Sequence, residues 1–122
     1  MNNTTQSIKV RDMRSPCPIA GTLDIFGDRW TLLVIRDLFA GKSMYSEFQS
    51  SPEHIPTNIL ADRLKRLIEY GIIEKIPYQP RPVRYANHLT DTGRSLAPVL
   101  KAILAWGVEN IEQTAAAIKL DL

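Results

Sequence analysis

Between residues 56 and 90 the hydrophobic period changes once, and that change limits the fold more than any other feature of the chain. From Pro56 to Tyr70, Leu60, Leu64, Leu67 and Ile68 recur at helical spacing, and Gly71 supplies a residue suited to ending a helix. Ile72–Tyr78 and Val83–Leu89 follow directly as two β-rich runs, linked by Gln79-Pro80-Arg81-Pro82. Two strands joined by a stiff basic tip predict a hairpin that projects. No βαβ unit is present, which disfavours a Rossmann layout.

The flanking pattern completes a helical domain. Residues 1–15 are polar and charged with little to bury, and read as a flexible arm. Pro16 and Pro18 open a short helix bearing Ile19, Leu23 and Phe26, which Gly27 stops. Asp28 is placed as the cap of a central helix through Trp30, Leu33, Val34 and Leu38, ending at Gly41. Lys42–Tyr45 is expected to be a short strand, and Ser46 with Gln49 fits a capping box for a helix over Glu47–Ser50. Thr90 is expected to cap a last long helix carrying Leu96, Val99, Leu100, Ile103 and Trp106, bent at Pro98. Val108–Leu120 is again helical in pattern. The expected fold is mainly α with a small β-hairpin (α+β), a winged helix-turn-helix with an added helix at each end. The domain is placed at 16–112, with a helical tail at 113–122.

Composition removes several other classes. One cysteine allows neither an internal disulfide nor a CxxC metal knot, and no apolar run approaches the ~18–20 residues of a membrane span. No cofactor, metal or membrane partner is expected, and the chain is expected in a reducing cytoplasm, associated with the nucleoid. The net charge of +2 is unevenly spread: residues 55–94 carry seven basic and four acidic side chains, while residues 1–54 carry six of each. The positive excess falls on the helix and hairpin, which hints at a polyanion surface.

On the helix at 56–70, the face opposite the leucines presents Asn58, Asp62, Lys65, Arg66 and Glu69, flanked by Thr57 and Arg63. Such a helix can lie in a major groove, where Asn pairs with adenine and Arg with guanine. Thr57 and Asn58, in its first turn, are the residues expected at base edges. Taken alone the face also reads as a solvated surface of ion pairs, which Asp62 and Glu69 favour. The hairpin adds Arg81 and Arg84 around Pro82, with Lys75 on the preceding strand, as a stiffened cationic tip for a DNA backbone or minor groove. The terminal apolar sets Ile19, Leu23, Phe26 and Leu100, Ile103, Trp106 exceed what a three-helix core uses and are assigned to a dimer interface. His54 and His88 lack a second ligand at metal spacing.

These residues together resemble the HxlR-type winged-helix transcriptional regulators, a MarR-like group. The matching strings are Cys17-Pro18, Gly27-Asp28-Arg29-Trp30-Thr31-Leu32-Leu33, Arg36-Asp37-Leu38, Tyr45-Ser46-Glu47-Phe48, Ile55-Pro56-Thr57-Asn58-Ile59-Leu60, Arg63-Leu64, Leu67, Gly71-Ile72-Ile73, and Tyr85 followed by Leu89-Thr90-Asp91-Thr92-Gly93. They cover about residues 17–107 in the family's order. Asn87, where an aromatic is common, and Pro56, where a capping serine is frequent, depart from the pattern. The resemblance implies a bacterial or archaeal homodimer that binds double-stranded DNA at a palindromic operator. It also implies that 56–70 is the recognition helix, that 79–84 is the wing, and that Cys17 is a candidate sensor of a small oxidant or electrophile. Arg14, close in sequence, and the start of the first helix would favour a Cys17 thiolate. Two alternatives are a winged helix that docks proteins without reading DNA, and an enzyme such as a thiol peroxidase. The second is set aside because no resolving cysteine or base accompanies Cys17.

Overall fold

The computed structural model describes residues 7–114. The first six residues of the expected arm and residues 115–122 of the expected tail lie outside the described residues. The elements follow in the order α1 (Pro18–Phe26), α2 (Thr31–Phe39), α3 (Tyr45–Gln49), α4 (Thr57–Glu69), β1 (Ile73–Pro80), β2 (Val83–Leu89), α5 (Asp91–Arg94) and α6 (Ala97–Asn110). This is the winged helix-turn-helix expected from the change of period.

The core gathers the apolar faces of all the longer helices on the base of the hairpin. Val34 and Ile35 of α2, Phe48 of α3, Leu60 and Leu67 of α4, and Ile72 and Ile73 at the start of β1 are each at most 2% exposed. Helix α4 packs against α2, α3 and β1. The residue that joins α4 to β1 is Gly71, at φ +74°, a left-handed conformation that a side chain would resist. Its N–H donates to Ile68 O and that of Ile72 to Leu67 O, so the helix end is satisfied as the chain turns into the strand.

β1 and β2 form a two-stranded antiparallel sheet, with Ile73 opposite Leu89, Lys75 opposite Asn87 and Pro80 opposite Val83. The register shifts between Pro77 and Gln79. The short strand expected at Lys42–Tyr45 is absent. Ser43 O accepts from the backbone N of Asn87 at 2.8 Å and from its side-chain Nδ2 at 3.2 Å, but pairing goes no further. Met44 and Tyr45 are instead drawn into α3. Asn87 thus uses its amide to pin the 42–45 segment to the hairpin.

Three local expectations are corrected. Helix α3 begins at Tyr45, because Glu47, not Ser46, builds its cap: Glu47 Oε1 accepts from the N–H groups of Ser43 and Met44 at 3.0 and 2.9 Å. Pro98 bends nothing. Thr90 caps only the one-turn α5, its Oγ1 accepting from Gly93 N at 3.1 Å, and Pro98 sits in the first turn of a separate α6, where its missing N–H leaves no bond unmade. Within α5, Gly93 lies so close to the residue before β1 that a Cβ would meet Ile72 O at 2.2 Å, so only glycine fits there. Helix α6 ends at Asn110, and Ile111 is extended, so the helical pattern after Val108 does not continue through 111–114.

Candidate nucleic-acid interface

Helix α4 presents Thr57, Asn58, Asp62, Lys65 and Glu69 to solvent, while Leu60, Leu64 and Leu67 on the opposite side are buried. Its first turn is anchored from α3, since the Tyr45 hydroxyl donates to Thr57 O at 2.8 Å. Pro56 occupies the cap position with extended geometry and offers its carbonyl to Leu60 N at 2.9 Å. The turn between α3 and α4 is tied to α2 by a polar network. Arg36 donates to both carboxylate oxygens of Glu53 at 2.7 and 2.8 Å, and also to the buried Asp37 at 2.9 and 3.1 Å. Asp37 in turn accepts from Ser51 Oγ, which also receives Lys42 Nζ at 2.7 Å. The hydrogen bond from Arg36, outweighing partial burial, holds the Glu53 carboxyl below the usual range.

The hairpin places Lys75, Arg81 and Arg84 on its exposed surface. Gln79 Nε2 donates to Arg81 O and Pro82 O at 3.3 and 3.2 Å, bracing the tip from inside. Between α4 and the hairpin, Tyr45, Ala61, Lys65, Lys75 and Tyr85 line an open groove of about 610 Å³. Helix and wing thus bring Lys65 and Lys75 to one groove, with Arg81 and Arg84 beyond it at the tip.

Arg63 is placed differently from its neighbours. Its Nε donates to Asp28 Oδ2 at 2.9 Å, and its other arm meets Asp62, leaving the side chain only 18% exposed. Asp28 also accepts from the N–H groups of Trp30 and Thr31 at 3.1 and 3.2 Å and from the Thr31 hydroxyl. Trp30, not Asp28, occupies the cap position of α2, but the Asp28 carboxylate two residues earlier supports the helix start and holds α4 as well. Partial burial alone would raise its pKa, but the bonds from Thr31 and Arg63, aided by Trp30 N–H, override this and lower it to about 2. A carboxylate depressed in the fold adds stability above its unfolded pKa near 4 that is lost as pH falls through about 2. Acid titration followed by circular dichroism should therefore show a loss of stability between about pH 5 and 2 that is smaller in Asp28→Asn. Equal acid sensitivity in both proteins would refute this role.

The assignment of Phe26 and Leu100 to an interface is corrected. At 8% and 7% exposure both belong to the core of the single chain, because α1 and α6 turn those faces inward. Ile19, Leu23, Ile103 and Trp106 stay outside, each at least half exposed. Cys17 is exposed at the cap position of α1. Arg14 does not serve its thiol: Nε donates to Asp24 Oδ1 at 2.6 Å and a terminal nitrogen to Ala20 O at 3.3 Å. Cys17 borders an apolar cavity of about 380 Å³ with Met13, Ile25, Phe26 and Leu96. Ile8 and Val10 of the arm also pack on the core there, more burial than the arm's composition suggests. Among the described residues, no cluster of His, Cys, Asp and Glu could hold a metal ion, and no helix is long and apolar enough to cross a membrane.

The sequence reading missed Tyr45, Gln79 and the second role of Asp28. Tyr45 and Gln79 act through backbone carbonyls and leave no spacing signal. Asp28 was legible as a support of the start of α2, but its ion pair spans 35 positions and only the fold supplies it.

A buried-faced helix set beside a basic hairpin defines the winged helix-turn-helix class, whose members place that helix in the major groove. The chain belongs to the HxlR-like helix-turn-helix family, whose model matches residues 25–115. Among curated proteins it is similar to the HTH-type transcriptional regulator Rv3095 of Mycobacterium tuberculosis, 33% identical over 91 residues that make up 75% of this chain and 57% of that protein. The chain thus spans little more than half the length of this relative. Among solved structures it is similar to PA1607, with a TM-score of 0.74 and 38% identity over 84% of this chain and 72% of that one. It is also similar to the redox regulator HypR in its reduced form, with a TM-score of 0.71 and 28% identity over 79% and 95% of the two chains.

Proposed function

We propose that this protein is a DNA-binding transcriptional regulator that acts as a homodimer on a palindromic operator. The observation that carries the reading is the exposure of Thr57 and Asn58 on the first turn of a helix whose other face is locked into the core, beside a hairpin bearing Lys75, Arg81 and Arg84. Asn58 and Thr57 read base edges, Lys65 and Arg66 meet phosphates, and the wing holds the backbone or minor groove. Asp62 and Arg63 are tied to each other and do not carry the contact.

The two parts of the surface should fail differently. Arg81→Ala and Arg84→Ala should weaken binding to all duplexes and flatten the salt dependence by about one unit of slope each. Asn58→Ala should cost about 1–3 kcal/mol at one or two base positions and leave the salt slope nearly unchanged. Fluorescence anisotropy on a duplex selected from a random pool, and on a scrambled duplex, measures both. Equal losses on the two duplexes for Asn58→Ala would show that it reads no base. A wild-type chain with no affinity for duplex DNA at low salt would favour a protein-docking winged helix instead.

Four exposed apolar residues of α1 and α6 support the dimer. Two copies joined through Ile19, Leu23, Ile103 and Trp106 would set their α4 helices about one duplex turn apart, ~34 Å. Light scattering at micromolar concentration should give twice the chain mass of 13.8 kDa, and a monomer there would refute it. Cys17, exposed at the start of α1, is the proposed site of oxidant or electrophile sensing, supported by the similarity to HypR. Lacking a second cysteine, it would act by a bridge to the partner subunit, a mixed disulfide or an adduct. Operator affinity that responds to mild oxidant or a quinone in the wild type but not in Cys17→Ser is the expected result.

A further inference from the structure

We infer that Arg63 is a positioning residue that fixes the angle of the recognition helix through Asp28, and that it makes no contact with DNA. The inference rests on the DNA-binding reading above.

Arg63 stands at the middle of the 13-residue α4, on the flank of its outward face, where an arginine would ordinarily reach for phosphate. Its guanidinium turns back toward α2. Nε is bonded to Asp28 Oδ2 at 2.9 Å, and the two side chains are 18% and 26% exposed. The acceptor itself is held rigidly: both Asp28 oxygens are engaged at the start of α2, through Trp30 N, Thr31 N and the Thr31 hydroxyl. A carboxylate fixed in this way is a stationary anchor, and an arginine bound to it fixes the rotation of its own helix. Rotation of α4 about its axis decides whether Asn58, five positions earlier, points at a base edge or past it. Bidentate base contacts tolerate little misalignment, whereas phosphate attraction tolerates much. Asp28 also follows Gly27 at the end of α1, so the anchor lies between the helix assigned to dimer contact and the helix assigned to DNA. The specificity of the protein therefore depends on a residue that does not touch the duplex.

The test compares wild type, Arg63→Met, Asp28→Asn and the double variant on the selected duplex and on the scrambled duplex, across a range of salt. Methionine keeps the aliphatic stem of Arg63. Asparagine keeps the capping ability of Asp28, since Asn and Asp cap equally well, while removing the charge that holds Arg63. Both single variants should lose tenfold or more in affinity for the selected duplex and keep their affinity for the scrambled one. Their salt slopes should stay at the wild-type value, and the double variant should lose no more than either single one. A phosphate contact gives the opposite pattern: Arg63→Met would weaken both duplexes alike and reduce the slope by about 0.9, with Asp28→Asn unaffected, and the inference would be overturned. Unchanged binding by Arg63→Met would overturn it equally. Should Asp28→Asn melt below the assay temperature, Arg63→Met alone decides by its specificity ratio and slope. Wild-type protein that binds neither duplex overturns the DNA reading itself, a result distinct from either failure.

Discussion

Arg36→Ala should lower the free energy of unfolding by about 3–5 kcal/mol, measured by urea denaturation of the purified protein. Arg36 is 13% exposed and bonded to two carboxylates, one of them the Asp37 side chain at 8% exposure. Removing the guanidinium leaves Asp37 charged, buried and supported chiefly by Ser51. A buried charge without its partner costs far more than the intact pair contributes, which is why the loss exceeds that of a surface ion pair. The same residue holds Glu53 in the turn before α4, so the turn loosens along with the anchor. Arg36→Lys should recover little, because an ammonium cannot reproduce the bidentate fork onto Glu53. A loss below 1 kcal/mol for Arg36→Ala would show that solvent or Lys42 compensates Asp37 and that the network does not hold the turn.

A loss of similar size is expected at Phe48, for a different reason. Its ring is 1% exposed and packs under α4 as the largest fully buried side chain of the core. Phe48→Ala removes the ring and leaves a cavity that the five-residue α3 is too short to collapse into, which should cost about 3–5 kcal/mol. A small domain has about 5–15 kcal/mol in all, so the variant should be partly unfolded at 37 °C. Because α3 supports α4 through Tyr45 and Thr57 O, DNA binding should fall on every sequence together with the melting temperature. Stabilising the variant with an osmolyte should restore both. Binding lost from a fully folded Phe48→Ala would refute the purely structural account.

The succession of helix α4 and the hairpin was legible in the sequence because it depends on signals that act within a few residues. The helical period of Leu60, Leu64 and Leu67, the left-handed turn at Gly71 and the period-two strands after it each report the local backbone. Their succession alone singled out the winged helix. The outward face of α4 was legible for the same reason: once the leucines face inward, helical geometry decides where Thr57, Asn58 and Lys65 point. Local reading failed where two local signals competed. Ser46 with Gln49 matches the capping-box spacing, yet the Glu47 carboxylate, reaching back to the N–H groups of Ser43 and Met44, starts the helix earlier. Pro98 could bend one helix or start another, and in the fold it occupies the first turn of a separate α6.

What only the tertiary structure decided is the fate of side chains whose partners are distant in the chain. Phe26 and Leu100 carry the same apolar signal as Leu23 and Ile103, yet one pair faces the core and the other faces solvent. Hydrophobicity records that a side chain avoids water and says nothing of what covers it. Arg63 looked like one more cation on a basic face until the fold set it 2.9 Å from Asp28. An ion pair forms wherever the topology brings opposite charges within reach. No local pattern encodes that distance, so its role had to wait for the packing of α4 on α2.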